Sequence, residues 1–307
     1  PRRNRSRRYQ CTTAVICARP LPSRQGGDEP MLDAETAAPP PWGAYPPSLP
    51  ARALIQASRN SLLGRGLLRK RLAELFSLLH SGPVDAWLWG QKVRLFPDHN
   101  VCERKALLRP DRMDRRELAF LRAQMQRPRP VFVDVGANAG LYSLHAALHA
   151  GEGGRILAIE PDAAILSRFD FNLRLAAVSR ISLAVATACV AVGDRNGEAL
   201  LATHGDEGSR SLRAGVGRPV KLRRLAGLLD EHAISKLTVM KIDVEGYEDR
   251  VLPPYLAEVG EERWPHAIII EHVYRASWTI DCVGLCQSSG YRVCAVTSNN
   301  TLLERAG

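Results

Sequence analysis

Four short stretches carry residue types that could do chemistry. The first is Asp134-Val135-Gly136-Ala137-Asn138-Ala139-Gly140, entered by the apolar VFVDV and left by LYSLHAALHA, which has a helical pattern. Gly136 and Gly140 permit a tight turn and a close backbone approach to a ligand. The first N–H groups of the helix that follows are open to a polar or anionic group. The order D-x-G-x-N-x-G lacks the third-glycine register of a dinucleotide-binding loop. The second stretch is Ile159-Glu160-Pro161-Asp162, with Glu160 at a strand end twenty residues after Gly140. A carboxylate there can accept both hydroxyl hydrogens of a ribose, whereas Asp162 reads as the cap of the next helix. The third is Met240-Lys241-Ile242-Asp243-Val244-Glu245-Gly246-Tyr247-Glu248. Asp243 and Glu245 could take a proton from a hydroxyl, orient it, or hold a cation. Glu248 reads better as a partner for a helix N-terminus. Lys241, inside an apolar strand, needs a carboxylate partner. The fourth is Ile268-Ile269-Ile270-Glu271-His272, where His272 is a candidate base because imidazole titrates near neutrality.

These residues must be positioned by the elements around them. Apolar runs of strand length occur at 131–135, 155–160, 181–192, 237–243 and 266–272, with helical patterns at 140–150, 162–177 and 246–258. Such alternation predicts a parallel sheet built from right-handed crossovers. All four chemical stretches fall at carboxyl ends of strands, the edge where open α/β sheets bind ligands. Short extra strands are expected at 198–203 and 220–224, and an antiparallel hairpin at 291–297 and 301–304. Upstream, leucines at helical spacing cover 51–80, Gly90 centres a hairpin over 86–96, and 112–126 is helical until Pro128. Residues 1–50, rich in Pro, Gly, Ala and Arg, read as a disordered tail. The expected organisation is therefore a tail (1–50), a helical and hairpin extension (51–127) and an α/β domain (128–307).

The 307 residues carry a formal charge of +10, which attracts anions without naming one. The seven cysteines form no C-x₂-C pair, and an odd number does not complete a disulfide framework. Free thiols and a cytoplasmic setting are expected. The opening RRNRSRRYQ followed by CTTAVICA imitates an export signal, but its apolar part is only about eight residues long. Disorder, or sequence upstream of a start at Met31, is the preferred reading. No run is long enough to cross a bilayer as a helix, so no stable membrane insertion is expected.

The D-x-G-x-N-x-G loop is closer to a loop that binds S-adenosylmethionine (SAM) than to a dinucleotide loop. VFVDVGANAGLYS, ILAIEP, AVGDRNGEALL, KIDVEGYEDRVL and IIIEH, in that order, resemble the FkbM family of SAM-dependent methyltransferases over roughly 128–275. The resemblance implies a Rossmann-like SAM-methyltransferase fold: a mostly parallel seven-stranded sheet with a C-terminal antiparallel hairpin, here with an N-terminal helical extension. It implies O-methylation of a hydroxyl on a sugar, glycolipid or secondary metabolite. SAM would be lined by Asp134, Gly136, Asn138, Gly140 and Glu160, with Val192 near the adenine. Asp243 and Glu245 would stand beside the acceptor; apart from the resemblance, His272 is the alternative base by its own chemistry, and no resident metal is expected. One departure is LAGLL, with Ala226 and Gly227 where the family often has Asp. Ser209 and Ser211 could touch substrate or belong to a solvated loop. A nucleic-acid methyltransferase is disfavoured: an Asn/Asp-Pro-Pro-aromatic motif is missing after the fourth core strand, and acidic groups there would repel phosphate. Partners are thus expected to be a small-molecule or glycan acceptor and no nucleic acid, with the oligomeric state undetermined. A non-catalytic SAM- or nucleotide-binding protein is the third possibility.

Overall fold

The computed structural model describes residues 39–60, 66–176, 183–202, 211–212 and 217–306. Helices α1 (Leu49–Asn60) and α2 (Gly66–Leu79) lead into the hairpin β1 (Val84–Leu88) and β2 (Gln91–Leu95). Helix α3 (Val101–Leu108) follows, and α4 (Arg115–Met125) ends the extension. The Asn100 side chain accepts the N–H groups of Cys102 and Glu103 and so starts α3. Asn100 with Glu103 three residues on is the sequence signal of that helix, which the apolar pattern did not predict. Within the segment expected as a tail over 1–50, Trp42 to Tyr45 bond to the hairpin and the first helix starts at Leu49. Trp42 donates through Nε1 to the Val93 carbonyl, and the N–H groups of Gly43 and Tyr45 donate to Asp85. Residues 1–38 lie outside the described residues.

Asp85 and Arg94 form a buried ion pair at 2.7 Å, with the guanidinium stacked on Tyr45 and Phe171. Beside it the Asn172 amide brackets the backbone of Arg94, accepting its N–H at 2.6 Å and donating to its carbonyl at 3.0 Å. A buried charge needs this complete set of partners. They bind the hairpin to the α/β unit across a long stretch of chain.

The α/β unit runs β3 (Val131–Val135), α5 (Leu141–His149), β4 (Arg155–Ile159), α6 (Ala163–Leu175) and β5 (Ala184–Ala188). A small three-stranded sheet follows, from β6 (Ala191–Gly193), β7 (Gly197–Leu201) and β8 (Arg218–Arg224). The chain returns through α7 (Leu225–Glu231), β9 (Val239–Ile242), α8 (Leu252–Glu258), β10 (Ala267–Glu271) and α9 (Cys282–Ser288). It ends on β11 (Tyr291–Val296) and β12 (Asn300–Arg305). The seven-stranded sheet has the order β11-β12-β10-β9-β3-β4-β5. Strands β10, β9, β3, β4 and β5 are parallel, and β12 is antiparallel to both β10 and β11. This is the Rossmann-like arrangement with a C-terminal antiparallel hairpin. The chain steps outward from β3 to β5 and then restarts at β9 on the other side of β3. The switch point therefore lies between β3 and β9, where a crevice opens.

Alternate residues of each strand serve opposite faces. Val133, Val135, Met240, Ile242, Ile268 and Ile270 pack with α7, α8 and α9. Phe132, Val239, Ala267 and Ile269 pack with α4 and α5. With both faces covered, β9 and β10 are buried throughout, which is why they read as unbroken apolar runs. The strand expected over 181–192 is divided into β5 and β6, which belong to different sheets. The helix expected from 246 begins at Leu252, because Glu245 and Gly246 have φ of 53° and 92°. Ala226 of the LAGLL segment is buried in the apolar core, so that position is filled by packing. Among the described residues no helix is long and apolar enough to cross a membrane.

Candidate functional site

A cavity of about 270 Å³ opens at the switch point. Gly136, Ala137 and Asn138 after β3, Glu160 after β4 and Val192 of β6 line one end. Asp243 and Glu245 after β9, Glu271 of β10 and Asn300 of β12 line the other.

The two glycines of the first loop make the expected tight turn and also fit against protein neighbours. Gly136 has φ of +77°, and a Cβ on it would stand 1.9 Å from the Asp243 carbonyl oxygen. Gly140 has φ of +74°, and a Cβ there would enter the Phe169 ring. Both are required by the left-handed backbone and by protein neighbours. Gly136 lines the cavity and Gly140 does not. Asn138, with φ of 52°, holds the turn. Its Oδ1 accepts from Ala139 N–H at 2.7 Å and from Asn100 Nδ2 at 2.6 Å. Its own N–H donates to Glu160 Oε2 at 2.9 Å.

Glu160 also accepts the Asp162 N–H through Oε1 at 2.9 Å. Each oxygen keeps a further acceptor site, so the carboxylate can bracket a diol while remaining anchored. Burial pushes its carboxyl up to about 7 against the pull of those backbone N–H groups. Asp162 caps α6 through Ala164 and Ile165 and pairs with Arg218 at 2.9 Å. Ile159, Val190 and Val192 add an apolar shelf beside Glu160.

Asp134 is fully buried and sits behind the cavity wall. It faces Lys241 across the β3–β9 register. Its Oδ2 accepts the Ser143 hydroxyl at 2.7 Å, and its Oδ1 stands 4.0 Å from Lys241 Nζ. Burial raises its carboxyl, while Lys241 and the Ser143 bond lower it. Lys241 Nζ lies 2.8 Å from Asp243 Oδ2 and over the Tyr142 ring at 4.8 Å. Burial works against the ammonium, but Asp243 and Asp134 more than offset it and keep the lysine charged. The oddly placed lysine thus has its carboxylate partners.

Beyond Lys241 the charge is unbalanced. Oxygens of Asp243, Glu245 and Glu271 come within 4.8 Å of one another, close enough for a divalent cation to bridge. Burial, then repulsion from Asp243, pushes Glu245 up to about 7 and Glu271 up to about 9. Among the described residues Glu271 Oε2 is buried without a hydrogen-bond partner. Tyr274 hydrogen-bonds Glu245 from the cavity lip, and Ser211 Oγ donates to the Glu245 carbonyl at 2.9 Å. Ser209 lies outside the described residues. Glu248 accepts the N–H groups of Val244 and Gly246 and the Trp278 indole, which makes it a brace of the turn.

His272 is not brought to this group. Its Nδ1 is held 2.9 Å from Thr301 Oγ1, its backbone N–H donates to Asn299, and its ring is absent from the cavity lining. Burial lowers its titration. The structure instead adds Tyr142, Lys105, Asp114 and Asn300 to the lining. The Tyr142 hydroxyl donates to Asp114 Oδ2 at 3.0 Å. Tyr142 stands inside the LYSL motif; Lys105 and Asp114 come from the NVCERKALL and RMDRRELAFL segments of the extension, where the sequence carries only a looser similarity and singles out neither residue.

Residues 134–279 match the family model described as the methyltransferase FkbM domain. No curated protein matches the sequence. Solved structures with some likeness include methyltransferase FkbM from Methylobacillus flagellatus, at 16% identity and TM-score 0.39, with 83% of this chain and 57% of that chain covered. The O-methyltransferase TomG from Streptomyces achromogenes, involved in tomaymycin synthesis and solved with SAM, has 13% identity and TM-score 0.40, covering 64% and 81%. An RNA methyltransferase from Salinibacter ruber, solved with S-adenosyl-L-homocysteine, has 15% identity and TM-score 0.33, covering 62% and 90%.

Proposed function

We propose that this chain, which carries a methyltransferase FkbM domain over residues 134–279, moves a methyl group from SAM to a hydroxyl oxygen of a small-molecule or glycan acceptor. One observation carries the reading. A single cavity joins an anchored carboxylate and apolar shelf, Glu160 with Ile159 and Val192, to a carboxylate cluster, Asp243, Glu245 and Glu271.

The donor set fits SAM. Glu160 offers two acceptor oxygens to a ribose diol, the shelf suits a purine, and the surplus of carboxylates suits a sulfonium cation. Bound there, SAM supplies a methyl group already activated by positive sulfur. Asp134 acts as a positioning residue, holding Lys241, which in turn holds Asp243. Glu245 and Glu271 face the acceptor end, where a carboxylate can accept the hydroxyl proton as oxygen becomes the nucleophile. An alcohol is a poor nucleophile, so a base with a raised titration point is worth about 10²–10⁴ in rate. Lys241 supplies the counter-charge that a metal ion would, so turnover is expected to survive EDTA.

The test is tritium transfer from labelled SAM to a panel of hydroxylated acceptors, with calorimetry of SAM binding alongside. Absence of SAM binding by the purified full chain sinks the proposal. Transfer that requires added magnesium or manganese sinks the metal-free version alone.

A further inference from the structure

A second cleft adjoins the cavity and has the opposite charge. Its walls include Lys70 of α2, Arg104 and Lys105 of α3, Arg109 at the end of α3, and Arg112 in the turn before α4. Among the described residues the one carboxylate in its lining is Asp114, which already accepts the Tyr142 hydroxyl. Val101, Lys105, Met113, Asp114 and Asn299 line both spaces, so the two adjoin. Among the described residues, Lys70, Lys105 and Arg112 enter no ion pair. Arginines of the extension also serve structurally: Arg59 donates to the Leu107 carbonyl, Arg94 pairs with Asp85, and Arg104 of the cleft donates to the Pro97 carbonyl at 3.0 Å.

Five cations converging on one concave surface raise the local concentration of anions and favour a group with several acceptor oxygens. The adjoining cavity carries a cluster of carboxylates that would repel the same group. An acceptor placed across this polarity has its anionic end outside and its neutral hydroxyl inside. We infer that the acceptor is a phosphorylated or similarly polyanionic small molecule, whose anionic group docks in the Lys70–Arg104–Lys105–Arg109–Arg112 cleft while its hydroxyl reaches Glu245 and Glu271. This rests on the cavity being the methyl-transfer site. It assigns to the extension the choice of acceptor, as distinct from the binding of the donor.

The probe is inorganic pyrophosphate titrated calorimetrically into the full chain, with SAM titrated separately. Pyrophosphate is expected to bind with an affinity that falls as salt rises. The double variant K70Q/R112Q should weaken it at least tenfold and leave SAM binding intact. The variant R115Q/R116Q, which removes the same charge from α4 away from the cleft lining, should change it less than twofold. No binding of pyrophosphate, or equal losses in the two double variants, overturns the inference. Single-stranded RNA binding far more tightly than pyrophosphate, and losing that affinity in K70Q/R112Q, overturns it in favour of a nucleic-acid acceptor. Loss of SAM binding in the parent chain with pyrophosphate binding unchanged would break the donor reading and leave an anion site.

Discussion

The two ends of the cavity solve opposite problems. At the Asn138–Glu160 end nearly every polar group is satisfied inside the protein: Asn138 bonds Ala139 and Asn100, and Glu160 bonds Asn138 and Asp162. At the Glu245–Glu271 end carboxylates crowd together, and Glu271 keeps a buried oxygen without a partner among the described residues. A satisfied turn is rigid and recognises by shape. An unsatisfied acidic cluster stores an electrostatic cost that a proton, cation or reacting group can relieve. The difference suits a donor that is always the same molecule and an acceptor whose proton must be removed.

The contrast is broken most severely by Gly136→Ala. The new Cβ would meet the Asp243 carbonyl and force a left-handed residue to carry a side chain. A loss of about 2–5 kcal/mol is expected from strain and overpacking together, read as a fall in the urea midpoint, with loss of SAM binding. A midpoint within experimental error of the parent would mean that the two strand ends are not locked as described.

Glu271→Gln separates chemistry from stability. Activity should fall about 10²–10⁴-fold. Thermal stability should move the other way. The folded carboxyl titrates near 9, above its ordinary 4.5, so its ionised form is disfavoured in the fold and its cost grows as pH rises from 4.5 toward 9. The glutamine removes that cost, so the variant should melt at or above the parent temperature at pH 8. For the parent, kcat/KM should rise from pH 7 to pH 9 as Glu245 and Glu271 lose protons. A flat profile, or a variant with unchanged rate, would remove these carboxylates from the proton transfer.

At the satisfied end, Glu160→Gln should raise the KM for SAM about tenfold, as for one charge-assisted hydrogen bond weakened, and leave kcat within about threefold. Donor KM in the parent should also rise as pH falls below about 7, where Glu160 takes up a proton. A change in kcat alone would place Glu160 in the chemistry and blur the division between the ends. The smallest effect is expected from His272→Ala. Its ring is turned to Thr301, so activity should stay within about twofold of the parent. A hundredfold loss would return it to the acceptor end.

Local sequence marked the Asn138–Glu160 end well, because its demands are local. A turn that needs positive φ selects Gly136, Asn138 and Gly140, and a strand buried on both faces must be an apolar run. Those signals mark β3, β4, β9 and β10 and the carboxyl ends where Glu160, Asp243, Glu245 and Glu271 stand. His272 looked equivalent to Glu271 from the same IIIEH segment. Alternation of side chains along an extended chain separates them, but only the pairing of β10 with β12 shows which one meets the cavity. The removal of Asp134 behind the wall, the pairing of Lys241, and the raised carboxyls arise from neighbours distant in the chain. Desolvation and Coulomb interactions depend on distances that periodicity does not encode. The basic cleft is of the same kind: Lys70, Lys105 and Arg112 share no motif, and only the docking of the extension against the switch point gathers scattered surface charge into one concave cleft.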